Sequence, residues 1–269
     1  MARWILFPYP QRYQYEPDSL AVQWPLLHQG DTEPVPHDGQ LLAAWAAFHN
    51  GQFQQARELG LAAGPAGFTV ANLATVVYAR YLEKRERTRQ ELFLEAAERA
   101  QDQLQAEVHN PNAWYCHGLA LQHYSQGISV AKALAQGIGN KVKHSLERAI
   151  ALAPGHADAR IALGAFHAEV IDKVGPLIGG MTYGAKKDVA LRLFQEALQL
   201  HPESPLARTE YANALLMLEG DSRMADATAL YEQAASSNPL DAAQYLAAEM
   251  AQTELATDDC DDWQATIPR

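Results

Sequence analysis

Ten histidines in 269 residues are the side chains best suited to metal or acid–base chemistry. His156 and His167 lie eleven residues apart. On a helix they would share a face but stand ~16 Å apart at 1.5 Å per residue, too far for one ion. His117 and His123 do not share a face. There is no His-Glu-x-x-His, and no cysteines and histidines with zinc spacing. His109 and His201 read better as polar caps at helix ends. His167 with Glu169 and Asp172 could form an acid–base group, but two such residues meet on most helices by chance, and no Gly-x-Ser-x-Gly accompanies them. The sequence therefore assigns no metal ligand, no catalytic residue and no cofactor.

A second candidate is the run Gly179-Gly-Met-Thr-Tyr-Gly184-Ala-Lys186. It has the Gly-x4-Gly spacing of a phosphate loop, but that chemistry needs lysine directly after the second glycine and then a hydroxyl for magnesium. Here Ala185 intervenes, and Lys187 and Asp188 follow, so nucleotide hydrolysis is not supported. A looser role survives. Amides of Gly179, Gly180 and Gly184 leading into a helix, with Lys186 and Lys187 in its first turn, could hold an anion. Glycines there could equally serve only as a compact elbow between helices. A similar run ending in lysine occupies residues 136–141.

These residues need elements to position them, and the composition says which. Forty-eight residues are alanine, about 18% of the chain, while β-branched residues are sparse. Alanine favours helix because it loses no side-chain entropy there, whereas strands prefer β-branched and aromatic residues. An all-α fold is expected. The chain also repeats. Ala149-Ile-Ala-Leu-Ala-Pro154, Ala197-Leu-Gln-Leu-His-Pro202 and Ala234-Ala-Ser-Ser-Asn-Pro239 each place an alanine five residues before a proline. A bulky residue (Leu146, Phe194 or Tyr231) stands three before each alanine. Small residues that would let helices cross closely lie upstream, at Gly118, Gly164 and Ala212.

Helix, turn, helix, small residues at the crossing and a stopping proline resemble the tetratricopeptide repeat, best over residues 154–239. The run Asp188-Val-Ala-Leu-Arg-Leu-Phe-Gln-Glu-Ala-Leu-Gln-Leu-His-Pro202 is close to that family's second helix. Residues 39–153 resemble it less well: Ala56 suggests a second helix, Trp114 with Gly118 a first, and Pro111 a displaced ending proline. The resemblance implies a right-handed solenoid of helical hairpins, each burying its apolar stripe on its neighbours. About five hairpins and a final helix over residues 241–255 account for residues 39–256.

The prolines at 111, 154, 202 and 239 are spaced more widely than the family period of about 34 residues. The excess falls between the two helices of a hairpin, as inserts near residues 125–140 and 172–187, expected side by side. Such elongated hairpins are weakly similar to the tetratricopeptide-like regulators of microtubule dynamics and their bacterial relatives.

In solenoids of this kind the first helices line the concave face. Aligning on Gly118, Gly164 and Ala212 gives groove candidates Tyr115, Leu119, Gln122 and His123, then Ile161, Ala165 and Glu169, then Thr209, Asn213, Leu216 and Met217. Leu216 and Met217 could as well be core. Members that grip a peptide carboxylate carry basic residues there; this chain has Tyr115, Ile161 and Thr209 instead. The expected partner is a protein or peptide with apolar anchors.

The two ends read differently from the repeats. Residues 1–38 hold six of the fourteen prolines and six aromatics (Trp4, Phe7, Tyr9, Tyr13, Tyr15, Trp24), an arm whose rings need burial and which could fill part of the groove. Residues 257–269 read as an acidic tail. The net charge of −11 argues against nucleic acid. No apolar run is long enough to span a bilayer or to act as a secretory signal. Two unrelated cysteines, Cys116 and Cys260, suit a reducing cytoplasm. Oligomeric state stays open.

Overall fold

The computed structural model describes the backbone of residues 4–265 and side chains as far as residue 256. The acidic tail expected over residues 257–269 lies outside the described side chains. Thirteen α-helices and no strand occur among the described residues. Helix α1 (Pro17–Leu27) belongs to the N-terminal segment. Five antiparallel hairpins follow: α2 (Gly39–His49) with α3 (Phe53–Ala62), α4 (Phe68–Tyr81) with α5 (Glu86–Ala106), and α6 (Pro111–Gln126) with α8 (Ile138–Leu152). The short α7 (Val130–Ala135) lies within that third pair. Then come α9 (Ala157–Tyr183) with α10 (Lys187–Leu200), and α11 (Pro205–Glu219) with α12 (Met224–Ala235); α13 (Ala242–Ala265) ends the array. No described helix is long and apolar enough to cross a membrane.

Local chemistry starts these helices where they start. Asp38, Asn110, Ser129 and Ser204 each accept a hydrogen bond from a first-turn amide, which satisfies donors that have no intrahelical partner. Pro111 and Pro205 open α6 and α11, where a missing N–H is harmless. Pro111 is thus a starting residue, not the displaced ending proline expected from spacing. His156 caps α9 through Nδ1, which accepts from the Ala159 amide at 3.1 Å.

The small residues set the hairpin spacing. A Cβ on Gly118 would stand 2.8 Å from Leu146, and one on Gly164 would stand 2.9 Å from Phe194. Ala212 is fully buried in one cluster with Tyr231. The bulky residue of each second helix therefore occupies the space vacated by the small residue of the first, at the organic-crystal density typical of interiors.

The inserts are helical, where loops were expected. The first forms α7, and Gly137, in the left-handed region at φ 63°, turns the chain into α8. The second prolongs α9 to Tyr183 through a kink at Gly175 (φ 80°, ψ 160°) followed by Pro176. The two are neighbours, since a Cβ on Gly139 would meet the Tyr183 ring.

The N-terminal segment joins the first and last parts of the array. Trp4 stacks on Tyr78 with ring centroids 4.0 Å apart. Phe7 is buried, edge-on to Tyr245 of α13. The hydroxyls of Tyr13 and Tyr15 donate to the carbonyls of Pro239 and Leu240 at 3.0 and 2.6 Å. Leu20 and Trp24 of α1 are core residues, and the Trp24 indole N–H donates to the Glu33 carbonyl at 2.7 Å.

Three substitutions test this packing. Gly164→Val should destabilise the protein by ~1–3 kcal/mol through overpacking against Phe194. Gly39→Ala, with nothing within 4 Å of the new methyl, should stay within about 1 kcal/mol of wild type. Trp24→Ala should cost about 3–5 kcal/mol. Urea denaturation measures all three; equal stability of the two glycine variants would disprove the crossing argument.

Candidate functional site

The inner helices line a half-open cavity of about 720 Å³. Its wall comes mainly from α6, α9 and α11, with Arg80 of α4, residues of α5 and Met250 of α13. Of the groove residues expected from sequence, Tyr115, Leu119, Gln122, His123, Ile161, Ala165, Glu169, Asn213 and Met217 line it. Thr209 does not. Its hydroxyl bonds back to the Pro205 carbonyl at 2.9 Å and it is buried toward α13. Leu216 packs in the α11–α13 cluster. Glu210, one residue on from Thr209, faces the cavity in its place.

Sequence reasoning also missed Arg80 and Asp158. Asp158 in the first turn of α9 looks like an ordinary helix-dipole acid, and nothing local shows that it faces inward. Arg80 pairs with Glu210 across the concave side, joining α4 to α11, and lies 4.9 Å from the Tyr81 ring centroid. At the rim Arg89 pairs with Glu86.

Next to the large cavity, and sharing Arg80, Tyr115, Leu119, His123, Asp158 and Leu206 with it, lies a space of about 130 Å³. Its far wall is residues 27–31, which run across the concave face. The Gly30 carbonyl accepts from the Asp158 amide at 3.0 Å. Gln29 donates to the Leu200 carbonyl. Gly30 leaves no room for a side chain, because a Cβ there would stand 2.4 Å from the Asp158 carboxylate.

Two polar chains hold this segment. In one, His156 Nδ1 accepts from an amide, so Nε2 donates to Asn112 Oδ1 at 2.9 Å and the Asn112 amide donates to Glu33. In the other, His28 Nδ1 donates to Asp31 at 2.9 Å, His49 Nδ1 donates to Asp241 at 2.7 Å, and the two Nε2 atoms face each other at 3.2 Å. With both Nδ1 atoms donating, a hydrogen bond between the Nε2 atoms requires one of them to be protonated as well. Burial lowers the His49 pKa and opposes a second proton on that ring, while its hydrogen bond to Asp241 favours one.

Burial dominates the remaining ionisations. It raises Asp158 to about 8, with help from the charges of Asp31 and Asp241, and raises Glu33 to about 8, with help from Asp31. It lowers His117, His123, His156 and His167 to about 4.

At the second insert, Gly179 and Gly180 lie inside α9, and their carbonyls accept from the amides of Ala185 and Gly184 respectively. Gly184 is left-handed at φ 66° and closes the helix. The Lys186 amide donates to His167 Nδ1, and Lys187 pairs with Glu219 at 3.1 Å. The amides of Gly184, Ala185 and Lys186 that an anion would need are engaged within the fold. No cluster of three or more His, Cys, Asp or Glu suited to a metal occurs among the described residues. Cys116 is a buried free thiol.

The ionisations predict a peaked stability curve. Below about pH 6.5 the unfolded chain takes up histidine protons that the folded protein refuses until about pH 4, so stability falls with acid. Asp158 and Glu33 act oppositely. Folded, they keep protons up to about pH 8 that the unfolded chain has released. Melting temperature should peak near about pH 6.5, and Asp158→Asn should roughly halve the decline between there and about pH 8 and steepen the acid limb between about pH 4 and 6.5, where Asp158 opposes the histidines. Identical alkaline limbs in calorimetry would contradict the burial of Asp158.

No family model and no curated protein matches the chain. Among solved structures, it is similar to a thermophilic TPR protein of Thermus thermophilus. The identity is 16%, the TM-score 0.56, and the match covers 80% of this chain and 97% of that one. The chain thus folds as a tetratricopeptide-like helical solenoid.

Proposed function

We propose that the protein is a non-catalytic, cytoplasmic scaffold that binds a protein or peptide segment in its concave cavity. The observation that carries this reading is the cavity wall itself: the inner helices of successive hairpins converge on about 720 Å³ with apolar anchors at Leu119, Ile161, Ala165 and Met217. Polar groups of Gln122, Glu169 and Asn213 stand among them, the mixture that fixes the register of an extended or helical segment. The N-terminal segment narrows one side of the concave face, which favours a short segment or chain end over a long strand passing through.

The alternative, an anion site at Gly179, Gly180, Gly184, Lys186 and Lys187, has less support. Its amides are engaged and Lys187 is paired.

Leu119→Arg should abolish partner capture while leaving the melting temperature within a few degrees, since Leu119 is only partly buried. Affinity capture from cell extract with both forms, read by mass spectrometry, is the measurement. Partners retained equally by both forms would move binding away from this cavity.

A further inference from the structure

The polar atoms of the cavity are unbalanced. Four carboxylates line it (Glu86, Asp158, Glu169, Glu210), and its two guanidiniums are already committed, Arg80 to Glu210 and Arg89 to Glu86. Asp158 makes no side-chain hydrogen bond or ion pair among the described residues. Glu169 accepts only from neutral amides, Gln122 at 3.0 Å and Gln126 at 2.9 Å. Burial raises its pKa, and the charge of Lys173, one turn on, opposes that without pairing with it.

Glu169 also fixes what its neighbours offer. Because the Gln126 amide nitrogen donates to Glu169, its oxygen must accept from His123 Nδ1, at 3.1 Å. Nε2 of the neutral His123 ring is then a bare acceptor. Gln122 likewise turns its nitrogen to Glu169, leaving Oε1 as an acceptor. Both leftover atoms are buried and unpartnered, on side chains of residues only 7% and 3% exposed. Gln90 Oε1, on the same wall, is a third. Buried acceptors left without donors are costly, and three on residues that line one cavity, beside two carboxylates without counter-ions, describe the complement of a donor-rich cation.

We propose that the cavity receives a positively charged side chain, an alkylguanidinium or alkylammonium, from the bound segment, with Asp158 as its counter-charge and the Glu169–Gln122–His123 group as a second set of acceptors. This rests on the peptide-binding reading and specifies its chemistry. Asp158 and Glu169 stand eleven residues apart on α9, ~16 Å along the axis. An extended segment covers that distance in about five residues. The matching partner therefore carries a basic residue and a second basic or donor-rich residue four or five positions away.

The test is calorimetric titration of the full chain at about pH 8.5, where Asp158 is largely ionised. One probe is a capped alanine–leucine peptide with arginine at its second and sixth positions. The other replaces both arginines with citrulline, which keeps length and shape but removes the charge. The arginine peptide should bind wild type at least tenfold more tightly. In Asp158→Asn, which breaks no contact, the gap should shrink to threefold or less, and Glu169→Gln should remove a smaller part of it. Equal affinity of the two peptides overturns the proposal and leaves the peptide-binding reading standing. Agmatine, measured by thermal shift against sodium chloride of equal ionic strength, separates the two ideas. An agmatine shift lost in Asp158→Asn, with neither peptide bound, supports the cation site and removes the peptide reading. No response to any probe overturns the proposal.

Discussion

The Asp31–His28–His49–Asp241 chain joins the two ends of the helical array. Asp31 and His28 follow α1, His49 ends α2, and Asp241 precedes α13. A stack of hairpins has open ends by construction, because each unit buries its apolar stripe only on its neighbours. Here the first hairpin meets the last helix, and the junction is hydrogen-bonded and buried. Removing one member would leave buried polar groups without hydrogen-bond partners, which costs more than losing an exposed contact. Aromatic contacts reinforce the closure, with Tyr15 against His49 and Trp24 against His28.

Closure turns a groove into a cavity. Once the first hairpin and α13 are joined, residues 28–33 cross the concave face, where Asn112, His156 and Asp158 of the middle repeats meet them. The interior that results is rich in carboxylates and acceptors. Part of that is neutralised internally, by Arg80 on Glu210. Part of it is not, at Asp158 and around Glu169. The same enclosure that raises the pKa of Asp158 is what would make a cation welcome beside it, because a charge pair gains strength as water is excluded.

Packing and electrostatics occupy different layers of the hairpins. The seam between first and second helices is made of shape: Gly118 under Leu146, Gly164 under Phe194, Ala212 with Tyr231. The concave layer mixes apolar side chains with polar groups, some of which find their partners in other repeats. A repeat can therefore change its inner face without disturbing its seam.

What the sequence determines by itself is whatever depends on neighbours within about forty residues, the span of one hairpin. Alanine content, proline punctuation and the small–bulky pairing specify helices, hairpins and their crossing, and with them most of the inner face, from Tyr115 to Asn213. Pro111 reads backwards because a proline after one helix and a proline opening the next look alike in one dimension. The inserts read as loops, yet glycine weakens helix propensity only modestly, and packing of Tyr183 on Gly139 outweighs it. Tertiary structure alone decides the rest. The Arg80–Glu210 pair and the His49–Asp241 bond join residues 130 and 192 positions apart. The inward turn of Asp158 depends on the same closure. Helical periodicity assigns a residue to a face; which carboxylate on that face finds a partner is settled only when distant repeats close around it.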